Sequence, residues 1–205
     1  MKTRVSFFSI FLLCLLCFFT AGTHAADAAA KKPDTVVIAS QQDFAVLDPF
    51  FTTATPDMQA NWCIFDSLLN MDINGKVEPL VAERWEVSKN GLEYTFHLRK
   101  GITFHDGTPL TARDVVYSAE RMKTSPFKLR THKLYDRAVA LDDHTVKFIL
   151  PQKAAPFLYE MAYSFAVYSE KATKAAGDGF KDKPVGCGPR SEEHTSELQS
   201  PSWIS

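Results

Sequence analysis

Apolar and polar residues alternate strictly from Leu92 to Arg99, which predicts a strand with one buried face and one face in water. Farther along, Thr111 to Asp114 has the pattern of a capping box, which marks the start of a helix. Val115, Ala119 and Met122 then recur at helical spacing and form one apolar stripe. A half-buried strand is therefore followed by an amphipathic helix.

The same criteria predict an earlier strand and an earlier helix. Thr35 to Ala39 is a short β-branched and apolar run, typical of a strand buried on both faces. Thr55 is predicted as the N-cap of a helix, because Pro56 suits the first helical position and Asp57 suits the first turn. Apolar residues follow at spacings of three and four: Met58, Trp62, Phe65 and Leu69. We expect this helix to pack one face on a core.

Three Asn-Gly or Asp-Gly pairs predict tight turns. Asn74-Gly75 and Asn90-Gly91 are two-residue hairpin signals, since a type I′ turn needs positive φ at both central positions. Asp106-Gly107 predicts a third turn, immediately before the capped helix. Several short strands joined by tight turns therefore form a hairpin-rich region.

The rest of the body continues in short elements. A further hairpin is predicted from Ala138 to Leu141 and from Thr145 to Leu150, with its turn at Asp142-Asp143. Ala155 to Met161 is predicted as a short helix, and Phe165 to Tyr168 as a short strand.

The two ends of the chain differ in composition from its body. Residues 1–25 have a positive start, an apolar core and small residues at the end, as in a secretory signal peptide. The apolar run is shorter than the roughly 20 residues that span a bilayer. Residues 26–34 are an alanine-rich flexible leader. We therefore expect a soluble protein exported across the inner membrane to the periplasm.

Residues 190–205 show no apolar period of any kind. Arg190 to Ser200 resembles the translation of a sequencing-library adapter, so we interpret residues 190–205 as a non-native tail on a truncated gene. A natural polar tail is the alternative. The fold is then carried by residues 35–189, the size of one ordinary domain.

The net charge and the cysteines limit which partners and which disulfides are expected. The formal net charge is −1, which argues against nucleic acid or an anionic membrane surface as a partner. Cys63 and Cys187 remain after signal cleavage, and Cys63 falls in an apolar helical stretch where we expect it to be buried. Two free or buried thiols are favoured over a disulfide, although cysteine spacing alone leaves the pairing open.

No enzyme signature emerges from the motifs. His105-Asp106 is interpreted as the flank of a turn rather than a catalytic dyad, because no nucleophile lies beside it. His97 falls on the polar face of its strand, where a solvated histidine is the default. Residues 26–205 contain no HExxH, CxxC, GxGxxG or P-loop pattern, so we expect no catalytic residue, no metal site and no cofactor.

One family carries most of these motifs together. The body resembles the extracytoplasmic solute-binding proteins of peptide-type ABC importers, family 5. The shared segments are Leu47-Asp48-Pro49, Phe65 to Leu69, Ala82 to Trp85, Tyr94 to Lys100, Phe104 to Pro109, Asp114 to Ser118, and Pro184 to Pro189. The resemblance implies an α/β fold like that of periplasmic binding proteins, with two lobes that close on solute. Residues 35–189 would form the first part of lobe I, with a mixed sheet and a small hairpin-rich subdomain.

The resemblance also implies which residues contact the solute. In peptide-binding relatives the loop before the first helix runs along the cleft and pairs with an extended peptide. That loop corresponds here to Thr53, Ala54 and Thr55, and an aromatic residue that faces the cleft in some relatives corresponds to Phe127. The alternatives are that the loop only caps a helix and that Phe127 is ordinary core.

The leading hypothesis is a monomeric substrate-binding component that captures di- or oligopeptides, or a related small solute, and delivers them to a membrane permease. Nickel-chelate or haem binding within the same family is one alternative. An exported sensor or chaperone-like module with the same fold is another. An exported hydrolase would need a nucleophile or metal site that the motifs do not supply.

Overall fold

The computed structural model describes residues 45–127 and 130–191. These belong to the second of two compact units, Ile38–Ser205. The predicted signal peptide, the leader and the strand from Thr35 to Ala39 lie outside the described residues, as does the tail beyond residue 191. The limits proposed for these segments therefore stay predictions.

A four-stranded antiparallel sheet forms one part of the fold. Its strands are β3 (Ala82–Val87), β4 (Glu93–Leu98), β5 (Arg137–Asp142) and β6 (Thr145–Ile149), in the spatial order β3-β4-β6-β5. Phe96 lies in the middle, opposite Trp85 on one neighbour and Val146 on the other. The alternation predicted for residues 92–99 is confirmed only at its end: Phe96 and Leu98 are buried and His97 between them is partly exposed, whereas Leu92 to Thr95 are all partly buried.

A smaller two-stranded sheet consists of β1 (Leu69–Met71) and β2 (Val77–Pro79), joined by the hairpin predicted at Asn74-Gly75. The predicted turn type is wrong, however. The turn is closed by the Gly75 N–H, which donates to the Asp72 carbonyl at 3.0 Å, so that Ile73 and Asn74 occupy its centre. Gly75 is the last residue of the turn and has φ +80°. Residues other than glycine rarely adopt this conformation, which explains the glycine at this position.

The helices within the described ranges are short. The α-helices are α1 (Thr55–Ile64), α2 (Ala112–Lys123), α3 (Phe157–Tyr163) and α4 (Glu170–Ala176), and 3₁₀ helices run over Arg130–Lys133 and Gly177–Lys181. The predicted capping box at α2 is confirmed: the Asp114 carboxylate accepts hydrogen bonds from the N–H and the hydroxyl of Thr111 at 2.9 and 2.8 Å. The helix α4 was not predicted.

Two details predicted for α1 are wrong. Its N-cap is Ala54, and Thr55 is already the first helical residue. The buried face holds Asp57, Ala60, Asn61 and Ile64, whereas Trp62 is 48% exposed. The apolar spacing gave the wrong face because it includes Phe65 and Leu69, which follow the helix end at Ile64 and are buried outside the helix. Asp57 is tolerated on the inner face because its carboxylate accepts two hydrogen bonds, and the Asn61 side-chain NH₂ donates to the Val46 carbonyl at 3.3 Å, whereas the Asn61 side-chain oxygen has no partner among the described residues.

The core lies between α2, α3 and the inner face of the four-stranded sheet. Val115, Ala119 and Met122 of α2 are fully buried, as the apolar stripe predicted. Phe96 and Phe148 meet edge to face, with ring centroids 5.7 Å apart. Such tilted aromatic contacts favour a specific packing over a fluid one.

The predicted strand from Phe165 to Tyr168 is wrong, because the segment is buried but belongs to no sheet. Its backbone is satisfied by other groups. The N–H of Val167 donates to the Asp66 carbonyl at 3.0 Å, and that of Tyr168 donates to the Ser118 hydroxyl at 2.8 Å. A buried segment outside a sheet can therefore satisfy its backbone N–H groups when other acceptors lie within hydrogen-bond distance.

The two cysteines of the body are both free. Cys187 is partly buried, and burial raises the pKa of its thiol to about 12. Cys63 is exposed, contrary to the prediction, because it faces away from the buried side of α1. Among the residues described, no helix has the length and apolar composition needed to cross a membrane.

Candidate functional site

The loop before α1 is held firmly at its base. Asp57 is buried, and its carboxylate accepts hydrogen bonds from the Thr52 hydroxyl at 2.7 Å and from the Ala45 N–H at 2.8 Å. The Thr52 hydroxyl oxygen in turn accepts the Ala54 N–H at 3.1 Å. Two buried side chains therefore determine where the loop starts and ends.

The top of this loop is open to solvent. Thr53, Ala54 and Thr55, the three residues predicted to line a solute cleft, are all exposed. The amide and carbonyl groups of Thr53 form no hydrogen bond with any other described residue. An exposed extended backbone with unpaired polar groups can pair with another extended chain. The geometry therefore suits main-chain recognition.

Phe127 is attached to the fold close to the loop before α1. The Ser125 hydroxyl donates to the Phe50 carbonyl at 2.6 Å, and its oxygen accepts the Phe127 N–H at 3.3 Å. Phe50 precedes Thr53 by three residues, so the structure joins the bases of both predicted contact segments. Phe127 itself is 45% exposed, which contradicts the alternative that it is ordinary core.

A buried ionic cluster lies beneath this junction. The Asp48 carboxylate is only 3% exposed and forms an ion pair with Arg121. It also accepts the Tyr168 hydroxyl at 2.7 Å and the Phe50 N–H at 3.2 Å. Burial and the Asp48 charge raise the pKa of Tyr168 well above its usual value, so this hydroxyl stays protonated and donates.

Aromatic rings complete the cluster around Arg121. Its guanidinium carbon lies 4.9 Å from the ring centre of Phe51 and 5.1 Å from that of Tyr168. The rings of Phe50 and Tyr168 are 4.8 Å apart. Because the charge is paired and shielded by ring faces, its burial is tolerated. The cluster therefore connects Asp48, Arg121 and Tyr168 beneath the junction.

Sequence reasoning missed this cluster. Leu47-Asp48-Pro49 was recognised as a family motif, but its carboxylate was not assigned a partner. The partners are Arg121 and Tyr168, which lie 73 and 120 residues away along the chain. No periodicity or spacing rule connects residues so far apart, so only the recurrence of the motif pointed to it.

His105, Asp106 and Asp142 form local or backbone hydrogen bonds. Both ring nitrogens of His105 form hydrogen bonds with backbone groups. The Asp106 carboxylate accepts the Thr108 N–H and hydroxyl, and Asp142 accepts the His144 N–H, as expected for turn residues. In the part of the chain that the structure covers, no cluster of three or more His, Cys, Asp or Glu side chains could hold a metal ion.

Comparison with curated proteins gives the chain clear relatives. It is similar to the dipeptide-binding protein of Escherichia coli K12, with 32% identity over 190 residues. The alignment covers 79% of this chain and 36% of that protein. The chain therefore spans about a third of the length of such relatives.

Solved structures agree on the fold. A periplasmic binding protein of Helicobacter pylori, DppA in complex with the peptide STSA, has a TM-score of 0.65 and 29% identity, over 72% of this chain and 34% of its own. The binding protein MoaA from A. tumefaciens R10, in complex with mannopinic acid, has a TM-score of 0.67 and 30% identity, over 72% and 32%. The α/β fold of periplasmic binding proteins is thus confirmed.

The family profile described as bacterial extracellular solute-binding proteins, family 5 Middle, matches residues 76–191, more than half of the chain. Those residues contain the strands of the four-stranded sheet, the capped helix and the Pro184 to Pro189 segment. The chain belongs to the family 5 bacterial extracellular solute-binding proteins.

Proposed function

We propose that this chain forms part of the solute-binding lobe of a peptide-type ABC importer, and that it binds rather than transforms its ligand. The complete receptor works as a monomer in the periplasm and delivers its solute to a membrane permease. Residues 1–25 serve as the export signal, residues 35–189 form the first part of lobe I, and residues 190–205 are foreign to it. The preferred solute is a di- or oligopeptide.

The observation that carries this proposal is the open backbone of Thr53, in the exposed loop from Thr53 to Thr55. A peptide in extended form offers alternating N–H and C=O groups, which match the unpaired groups of Thr53. Side chains contribute little there, because threonine and alanine are small. Recognition through the main chain tolerates many peptide sequences, as an importer of mixed peptides requires.

Phe127 provides the apolar contact at the same junction. An exposed aromatic ring can cover a peptide side chain of any kind at low conformational cost. The cluster of Asp48, Arg121 and Tyr168 keeps the two segments in place before the ligand arrives. Such pre-organisation favours binding.

The test is an NMR titration of the chain with a di- or tetrapeptide. We expect the amide signals of Thr53, Ala54, Thr55 and Phe127 to shift together as peptide is added. A peptide with N-methylated backbone is the matched control, since it lacks the donors for β pairing, and it should shift them much less. Equal shifts with both peptides, or shifts only elsewhere, would contradict the proposal.

Two substitutions at one position separate backbone from side chain. Thr53→Ala keeps the amide donor and should bind peptide nearly as well as the unmodified chain. Thr53→Pro removes the donor and should weaken binding several-fold, the weight of about one hydrogen bond. Similar losses in both variants would assign recognition to the threonine side chain instead. A nickel–histidine chelate added in parallel distinguishes a peptide receptor from the metal-chelate alternative.

A further inference from the structure

The glycine-rich segment from Gly186 to Arg190 is clamped between two distant parts of the fold. On one side, the Gly188 N–H donates to the Ile64 carbonyl at 2.8 Å, and the Arg190 N–H donates to the Cys63 carbonyl at 3.0 Å. These bonds satisfy carbonyls at the C-terminal end of α1. On the other side, the segment contacts the turn that holds His105.

His105 makes three hydrogen bonds to this segment. Its own N–H donates to the Gly186 carbonyl at 2.9 Å. Its ring Nε2 lies 2.9 Å from the Gly188 carbonyl oxygen, and its ring Nδ1 lies 3.3 Å from the Gly186 amide nitrogen. A carbonyl can only accept and an amide N–H can only donate, so Nε2 carries the proton and Nδ1 is the acceptor. The contacts therefore require the neutral ring in one tautomer.

The fit leaves no room for a side chain at Gly186 or Gly188. A Cβ on Gly188 would lie 2.7 Å from the Cys63 carbonyl oxygen, and a Cβ on Gly186 would overlap the Ile64 carbonyl. Both positions need glycine because the backbones approach so closely. Small movements of the segment would therefore break several contacts at once.

Several titratable groups surround His105. The Asp66 carboxyl, on the connection after α1, interacts electrostatically with His105, and burial raises the pKa of that carboxyl. Cys187 lies in the clamped segment itself, and burial raises the pKa of its thiol to about 12, so it carries no charge near neutral pH. Asp106 follows His105 on the same turn and interacts electrostatically with Lys171 of α4. Asp66 is thus the charged group that faces the ring from another element.

We propose that His105 is a positioning residue: its neutral ring fixes the course of Gly186 and Gly188 against α1, and protonation of the ring breaks its contact with the Gly186 N–H. A proton on Nδ1 turns the acceptor for the Gly186 N–H into a second donor, so that contact becomes repulsive. The nearby Asp66 carboxylate stabilises the protonated ring. The position of the backbone at Gly186 therefore depends on the charge state of one histidine.

The test follows ring and backbone in one NMR experiment. Two-bond nitrogen–proton correlations should show His105 as the Nε2–H tautomer, and the Gly186 amide should be protected from hydrogen exchange. As the His105 ring is protonated, Gly186 exchange should accelerate roughly two- to tenfold beyond the general pH effect, the weight of one net hydrogen bond. An Nδ1–H tautomer would overturn the proposal. So would a Gly186 exchange rate that does not change when the ring is protonated.

Substitutions that each keep one half of the ring's chemistry give a second test. His105→Asn keeps an acceptor near the Nδ1 position, so the Gly186 amide should stay protected and its extra response to acid should vanish. His105→Gln keeps a donor near Nε2 and should leave Gly186 exposed to exchange. His97→Gln is the matched control, because His97 lies on the open face of β4 and pairs with Glu86 at 3.2 Å. If either His105 variant fails to fold, the tautomer measurement on the unmodified chain still decides.

Discussion

Removal of one hydroxyl group, in Tyr168→Phe, tests the buried cluster below the candidate site. Tyr168 is fully buried, and its hydroxyl donates to the Asp48 carboxylate at 2.7 Å. Phenylalanine keeps the ring contacts with Phe50 and Arg121, so the change removes the hydrogen bond and little packing. A hydrogen bond to a charged group contributes about 1.5–3 kcal/mol to the free energy of unfolding.

The expected loss is therefore about 1.5–3 kcal/mol, which corresponds to roughly 3–12 °C in melting temperature for a chain of this size. Urea unfolding followed by tryptophan fluorescence measures it directly. Tyr159→Phe is the matched control, because Tyr159 is 51% exposed and its hydroxyl makes no hydrogen bond with another described residue. That variant should change stability by less than about 0.5 kcal/mol.

The comparison of these two variants decides whether the cluster matters. Equal stabilities of Tyr168→Phe and Tyr159→Phe would refute the claim that the Asp48 carboxylate depends on the hydroxyl. Asp48→Asn extends the test, because it leaves Arg121 without its countercharge and should cost more, about 3–5 kcal/mol. If the two losses simply added in the double variant, the groups would not act as one network.

Three further predictions concern other parts of the fold. Gly186→Ala should destabilise the chain by about 1–3 kcal/mol, because the added Cβ would overlap the Ile64 backbone. Gly179→Ala is the control and should be nearly neutral, because the space around Gly179 is open. Equal urea midpoints for the two variants would contradict this prediction. Met122→Ala should cost about 2–5 kcal/mol through a core cavity, and a smaller loss would mean that α2 packs loosely. The His144 N–H holds the pKa of Asp142 below its usual value, so this carboxylate stabilises the fold above about pH 4 and loses that effect as pH falls through its folded pKa. Asp142→Asn should therefore flatten the acid limb of the stability curve, and an unchanged limb would argue against this contribution.

Features that depend on neighbouring residues were predictable from the sequence. The alternation in β4 and the capping box at α2 both act within a few residues; the capping box is confirmed, and the alternation is confirmed from Phe96 to Leu98. The hairpin at Asn74-Gly75 was also predicted, although the glycine ends the turn instead of forming its centre. Propensities and local hydrogen bonds are properties of short segments, so they can be read without the fold.

Features that depend on distant partners came only from the tertiary structure. The buried face of α1 is set by what packs on it, and for that reason Asp57 and Asn61 point inward while Trp62 points out. Family resemblance indicated the loop at Thr53 and the aromatic Phe127, but the Ser125–Phe50 hydrogen bond that joins their bases links residues 75 apart. Hydrophobic periodicity records which residues avoid water; it does not record which buried polar groups will meet, because those pairings arise only when remote segments pack together.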